Sequence, residues 1–396
     1  MEAVQVVTIK NKIPLFKGVE QANAIEKIEL EENGFSLIAQ KDLYQIGDKA
    51  VYIQPDYSLS DISLFDSFIR PGGDERKSKL GSNNRIRAVK FNLHTGDNEP
   101  VYSVGILLPY REVYEFLNPM NHDMPELEKL DLVKALGITK WEEPENTGGG
   151  LKVNGNGKSY PSTIYKTDET NINNKWSTLE EQFPVRLIGT QKIDGSSISI
   201  IVDIEKETIE VGSRSFIKPE KISRVTGRRK PTFVERIKSL FGYKPDLLVR
   251  ELIPNDDQFV MLAKPYIDEI KDWIKDGAIR NSFILRGEAC GQSWKGSGNK
   301  NNPNAKDQPQ IYFYGLDEFE NGIAVKASEY EFNNMIHIFD FKRCPVIFDR
   351  EFHSKEELQN HCKEYFKLHM IEGIVVRTVD SKFSAKIMND EYDSKK

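Results

Sequence analysis

The residues of this sequence best placed to do chemistry are Lys192 and Asp194, in the run Thr190-Gln191-Lys192-Ile193-Asp194-Gly195-Ser196-Ser197. Pro184 to Gly189 reads as a short strand, and Ser196 to Ile204 alternates with the period of a half-buried strand. A lysine between two strands can reach into a cleft, Gly195 permits a tight turn, and Asp194 sets a carboxylate two residues from the amine. Taken alone, Lys-x-Asp-Gly also suits an exposed β-turn, and that plainer reading is the stronger one. Further charged stretches change the balance.

Four of them follow in order. Gly212-Ser213-Arg214-Ser215 ends the strand Thr208 to Val211, and Phe283-Ile284-Leu285-Arg286-Gly287-Glu288 is an apolar strand ending in a carboxylate. After the aromatic strand Ile311-Tyr312-Phe313-Tyr314-Gly315-Leu316-Asp317 come Glu372-Gly373-Ile374-Val375-Val376-Arg377 and Lys382-Phe383-Ser384-Ala385-Lys386-Ile387. A charge inside a β-branched strand is costly to bury without a partner or a ligand. Each has a plainer role: Arg214 as a turn cap, Arg286 with Glu288 as a cross-strand pair, Glu372 as a helix end, Lys386 as an edge-strand gatekeeper. Together they supply an amine, carboxylates for a cation and cations for phosphates, the set that attack of a lysine on a nucleoside triphosphate requires. A lysine of reference pKa about 10.4 is neutral only about one part in a thousand near pH 7.4. A Mg²⁺ or Mn²⁺ held by Asp194, Glu288 and Glu372 favours the neutral amine and offsets charge on the α-phosphate. Lys386 and Arg214 are then the phosphate contacts, and an aromatic from Tyr312 to Tyr314 stacks on the base.

These stretches resemble motifs I, Ia, III, IIIa, IV and V of the covalent nucleotidyltransferases: DNA ligases, RNA ligases and mRNA capping enzymes. The resemblance spans about residues 185 to 390. It implies that Lys192 accepts the nucleotidyl group, that Glu288 contacts the ribose and supports the metal, and that Phe313 stacks on the base. DNA ligases and capping enzymes carry an OB domain after motif V, whereas here ten residues follow Lys386. Leu136 to Pro144 and Lys166-Thr167-Asp168-Glu169 are similar to segments of ATP-dependent RNA ligases with an amino-terminal OB domain, the fifth RNA ligase family. Three positions depart from that pattern: Asn171 in place of a triphosphate-reaching arginine, Ser384 in place of the first lysine of a Lys-x-Lys pair, and Gln191 in place of glutamate.

The elements that must position these groups set the domain plan. The 396 residues, 38% hydrophobic, suffice for two or three domains. Residues 1 to about 118 carry strand candidates at Val4 to Ile9, Gly47 to Ile53, Arg85 to Phe91 and Val101 to Leu108, a pattern that suits a small barrel, the OB-fold being one candidate. Met124 to Lys140 reads as helical, and Glu142 to Ser162, rich in glycine, as a linker or surface excursion. Its Gly157-Lys158-Ser159 is no phosphate loop, because Lys152 stands where the pattern needs glycine. The expected fold is therefore α+β: an OB-like β-barrel domain at 1–130, a linker at 131–165, and a nucleotidyltransferase domain, ATP-grasp-like, of antiparallel sheets and helices at 166–396.

The net charge of −6 gives no global attraction to nucleic acid, so phosphate contacts must be local. Lys221 to Lys230 is the best basic patch, balanced evenly against a solvated loop; Lys295 with Lys300, and Arg85 with Arg87 and Lys90, are further candidates. Three cysteines without ligand spacing, no signal peptide and no long apolar run predict a cytoplasmic or nuclear protein, monomeric by default. The reading is an ATP-dependent RNA ligase, using Mg²⁺ or Mn²⁺, that joins 3′-hydroxyl and 5′-phosphate RNA ends through a lysyl-AMP. A DNA ligase or GTP-dependent capping enzyme, and a non-catalytic nucleic-acid-binding protein, are the alternatives.

Overall fold

The computed structural model describes residues 3–395 except 98, 121–123, 142–157, 166, 215, 240–242, 245, 295–296, 298 and 300. The core of the expected linker and the pair Lys295 and Lys300 thus lie outside the described residues.

The amino-terminal sheet is built around one long strand, β1 (Val4–Lys17), with β2 (Glu20–Leu30), β3 (Ser36–Gln40), β4 (Lys49–Ile53) and β5 (Ile106–Pro109) in the order β3-β2-β1-β4-β5. The first half of β1 pairs with β4, Val4 opposite Ile53, while its second half pairs with β2, Lys17 opposite Glu20. Period-2 alternation lets these strands bury both faces: Val4, Val51 and Ile53 meet Phe65 and Val113 on one, Val7, Ile9 and Tyr52 meet Phe35 on the other.

The expected helix over Met124 to Lys140 is not formed. Asp131 caps a single turn, Leu132–Ala135, which ends before Gly137 at φ +63, and Thr139–Lys140 pairs as a strand with Tyr57–Ser58. Leu127, Leu132, Leu136 and Ile138 pack into the core with Val4 and Val51, so residues 131–141 belong with the amino-terminal sheet.

Two antiparallel sheets carry most of the remaining described residues. The larger has seven strands in the order β6 (Lys158–Ser159), β10 (Phe216–Lys218), β9 (Thr208–Gly212), β8 (Ser196–Asp203), β11 (Phe283–Cys290), β12 (Gln310–Glu320), β13 (Ile323–Lys326). The smaller has four, β14 (Val346–Phe352), β7 (Val185–Lys192), β15 (Gly373–Thr378) and β16 (Ser384–Met388). Helices α1 (Gln258–Lys275) and α2 (Glu329–Phe339) cover one face of the seven-stranded sheet, where Phe259, Ile267 and Phe332 join Ile200, Leu285 and Phe313 in one apolar core. Helix α3 (Lys355–Leu368) covers the four-stranded sheet through Leu358 and Cys362 against Leu187, Phe352 and Val376. A last short helix, α4 (Asp390–Ser394), follows β16. Cys290, Cys344 and Cys362 are free and buried. No helix among the described residues is long and apolar enough to cross a membrane.

Candidate active site

The chain passes from the four-stranded to the seven-stranded sheet at Ile193-Asp194-Gly195, between the last residue of β7 and the first of β8. Lys192 therefore stands at the seam between two sheets. Its backbone pairs with Gly373, and its Nζ meets Glu372 Oε2 at 2.5 Å. The loop is held by its own backbone: the Asp194 carbonyl accepts from Asn302 Nδ2 at 2.6 Å and from the Cys290 thiol at 3.4 Å. Gly195 lies so close to β11 that an added Cβ would collide with the Ala289 carbonyl, so only glycine fits here. Asp194 turns its carboxylate inward to accept from the Tyr392 hydroxyl at 2.8 Å. Burial, and then the Asp194 charge, push that hydroxyl's pKa far up, so it stays a donor.

Glu288 sits on β11 opposite Ser197 and Tyr312. Desolvation pushes its pKa up to about 8; Glu372 and Asp194 add to the shift, while Lys192 and Arg214 oppose it. The three carboxylates thus crowd one lysine. No His, Cys, Asp or Glu group of three stands at metal-holding spacing among the described residues, with Glu372 engaged by Lys192 and Asp194 by Tyr392. The donor set still fits a hard dication, because it is all oxygen and its mutual repulsion already resists ionisation of Glu288.

On the four-stranded sheet, Lys386 lies two residues along from the row that joins Lys192, Gly373 and Met388. Its Nζ is 3.4 Å from Asp56 Oδ2, a carboxylate delivered by the amino-terminal domain at a left-handed backbone position, φ +66. Burial works against the Asp56 charge, yet Lys386, Arg85 and Lys192 hold its pKa well below the usual carboxylate range. Arg85 pairs with that carboxylate, lies 3.7 Å from Asp393 of α4, and stacks 4.3 Å over Trp141. Lys90 is 3.7 Å from Glu391, and Arg87 donates to the Lys79 carbonyl at 3.1 Å. Arg85 and Lys90 thus meet carboxylates of the carboxy-terminal helix, which corrects the expectation that they form a patch for RNA.

Arg214 is exposed after β9, 3.9 Å from Asp168. Asn171 accepts from Asn173 N at 3.0 Å, and its neighbour Thr170 accepts from Lys386 N at 2.9 Å, so this segment braces β16. Ser384 receives Lys326 Nζ at 3.0 Å, which brings an ammonium from β13 to the position where a second strand lysine was missing. Glu169 accepts from Ser384 at 2.6 Å and lies 3.4 Å from Arg377. Gln191 donates to Asn304 Oδ1 at 2.7 Å.

Phe313 is the clear correction. Its ring lies in the apolar core, stacked 5.3 Å from Phe341 and edge-on to Tyr266, on the face away from Glu288. The face shared with Glu288 belongs to Tyr312 and Tyr314, the latter donating to Thr167 Oγ1 at 3.0 Å. With Glu288 opposite Tyr312, strand alternation sends Phe313 to the other side, a register that the run Ile311 to Asp317 does not fix by itself. Asp56, Tyr392 and Lys326 had no such local signal.

The RNA ligase family model matches residues 185–388, just over half of the chain and the whole span from β7 to β16. No curated protein matches. Among solved structures, Naegleria gruberi RNA ligase is similar throughout: a variant with AMP and Mn superposes with TM-score 0.66 at 18% identity, covering 100% of this chain and 98% of that one. A second variant, with ATP and Mn, gives 0.66 at 19% identity over 99% and 98%. The same enzyme with PPi gives 0.66 at 18% over 99% and 98%. The fold is thus shared over the full length, and by its match across the two-sheet core that carries Lys192, Glu288, Glu372 and Lys386, this chain belongs to the RNA ligase family.

Proposed function

We propose that this protein seals RNA in an ATP-dependent reaction, with Lys192 as the nucleophile. The observation that carries the proposal is the position of Lys192: an amine at the seam of two sheets, 2.5 Å from Glu372 and ringed by Asp194 and Glu288. The Naegleria structures hold ATP, AMP or PPi in the same fold, which fits a nucleotide here.

Glu372 orients the Lys192 amine and stands where its proton can be received. The neutral Nζ attacks the α-phosphorus of ATP, a P–N bond forms, and the P–O bond to pyrophosphate breaks. Lys386 and Arg214 face the phosphates, Glu288 faces the ribose, and the Asp194–Tyr392 bond keeps the loop from drifting. A 5′-phosphate oxygen then takes the AMP from Lys192, and a 3′-hydroxyl displaces AMP to leave a phosphodiester. A Mg²⁺ or Mn²⁺ held by Asp194, Glu288 and Glu372 would supply positive charge that favours the neutral amine and offsets charge on the leaving phosphates. The amino-terminal sheet, with β1 shared between two pairings, suits an OB-like domain, and we assign 1–141 to it and 158–395 to the nucleotidyltransferase domain.

Labelled ATP with Mg²⁺ or Mn²⁺, followed by denaturation, tests this. The wild type retains acid-labile label on one lysine, and Lys192→Arg, never neutral near pH 7, retains none. Undiminished label on Lys192→Arg rules the reading out, and a matched DNA substrate tests the choice of RNA.

A further inference from the structure

Between β10 and α1 the chain leaves the catalytic sheet as a two-stranded antiparallel ribbon, Lys221–Arg228 paired with Leu248–Pro254, Lys221 opposite Pro254. An eight-residue strand reaches about 25 Å. Its base is fixed. Asn255 Nδ2 donates to the Pro219 carbonyl at 2.8 Å, and Lys218 pairs with Asp257 at 2.6 Å. Beyond the base, only Ile222 on the first strand is buried.

The charge on this excursion runs against the rest of the molecule. Residues 221–254 hold nine Lys and Arg against three Asp and Glu, in a chain of net charge −6. Two of the acids are already used, Glu235 by Arg229 and Asp246 by Arg250, and the third, Glu251, stands opposite Arg224 across the ribbon. Lys221, Arg224, Arg228, Lys230 and Arg236 are exposed and make no ion pair among the described residues. Apolar groups are interleaved with them: Phe233 is 76% exposed and Leu252 73%, with Val225 and Val234 also in solvent. Five like charges held along one ribbon repel one another, and a polyanion laid against them relieves that repulsion while covering the open apolar side chains. The ribbon also starts seven residues after Arg214, whose charge acts on Glu288.

We propose that this ribbon, with the helix Phe233–Ser239, is an arm that grips the sugar-phosphate backbone of the RNA held at Lys192. The cations neutralise phosphates, and Phe233 offers a face for a base to stack on. The arm adds length and affinity without reading sequence, because its groups are cations and a ring rather than paired donors and acceptors. Only the choice of RNA over other polyanions rests on the function proposed above.

The test uses the full chain with Lys221, Arg224, Arg228 and Lys230 all changed to Gln. Binding of a fluorescent, 5′-phosphorylated single-stranded RNA is followed by anisotropy across a salt series, alongside adduct formation from labelled ATP. The arm predicts RNA binding about tenfold weaker or more at physiological salt, and a slope of log affinity on log salt shallower by about 3. Phe233→Ala, an exposed change with no folding cost, weakens binding by roughly fivefold or more. Adduct formation keeps its rate in both variants. Unchanged RNA affinity in the fourfold variant overturns the arm, as does loss of adduct, which would place these residues at the nucleotide. Polyaspartate that competes as well as RNA at equal charge, or anionic phospholipid vesicles that bind the wild type while RNA does not, also overturns it. A wild type that binds RNA through the arm yet forms no adduct would refute the ligase reading and leave the arm standing.

Discussion

The two faces of the seven-stranded sheet are made by the same strands and are opposite in kind. On one face Ile198, Ile200, Leu285, Ile311 and Phe313 pack under α1 and α2. On the other, one residue along each strand, stand Ser197, Ser199, Arg286, Glu288 and Tyr312. The first face contributes by removing apolar area from water, roughly 1.5–3 kcal/mol for each large side chain. The second holds Arg286, 3% exposed, against Asp317, 1% exposed, and resists ionisation of Glu288. Polar groups on that face are a cost to the fold, which identifies it as the working face. A one-residue shift along β12 carries an aromatic from one face to the other, which is why Phe313 lies in the core and Tyr312 beside Glu288.

This contrast predicts effects that separate stability from chemistry. The largest is Phe313→Ala, which should lose about 3–5 kcal/mol of unfolding free energy while the folded fraction still forms adduct at the parental rate; adduct loss at full stability would put the ring in the site after all. Arg286→Met strands Asp317 on the polar face and should cost a comparable 3–5 kcal/mol, most of it recovered when Asp317→Leu is added, as chemical denaturation of the single and double variants would show. Glu288→Gln should act in the opposite sense. A carboxyl whose folded pKa, about 8, lies above its unfolded value keeps a proton that the unfolded chain has lost, so native stability falls as pH rises from about 4.5 to 8. The Gln variant lacks that decline and should be more stable than wild type at pH 8, by up to a few kcal/mol without added metal, while forming little adduct. Identical pH dependence of the melting temperature in both proteins would contradict it. The smallest effect is Asp56→Asn, which keeps a residue suited to the left-handed backbone and removes the charge beside Lys386. The KM for ATP in adduct formation should fall about threefold to tenfold, because phosphate no longer competes with an internal carboxylate; a higher KM would make Asp56 a positioning residue for Lys386 instead.

What the sequence made legible was local. Lys192, Glu288, Glu372 and Lys386 each end, enter or interrupt an apolar strand, and the cost of a charge in that place brings them together on paper as it does in space. Asp56 and Tyr392 could not be read that way, since their partners lie hundreds of residues off: Asp56 to Lys386 spans 330 positions and Tyr392 to Asp194 spans 198. Nothing in Gln54-Pro55-Asp56-Tyr57 marks it as a site residue. The helical pattern over Met124 to Lys140 yields to the left-handed Gly137 and to the pairing of Thr139–Lys140 with Tyr57–Ser58. The basic run at Lys221 was visible, but only its lack of partners in three dimensions lifts it above a solvated loop.

Helix α4 carries a consequence for how the enzyme comes into being. Its Tyr392 fastens the loop after Lys192, its Asp393 receives the Ala88 amide, and its Glu391 meets Lys90, so five residues tie the amino-terminal segment to the seam of the two sheets. At a synthesis rate of about 5–20 residues per second, the 198 positions between Asp194 and Tyr392 take about 10 to 40 seconds to add. Through that interval Lys192 is part of the chain while its loop lacks the bond that sets it. Glu372 and Lys386 join the chain only 20 and six positions before Tyr392, so the last charged groups of the seam and the clasp arrive together in one late stretch of synthesis.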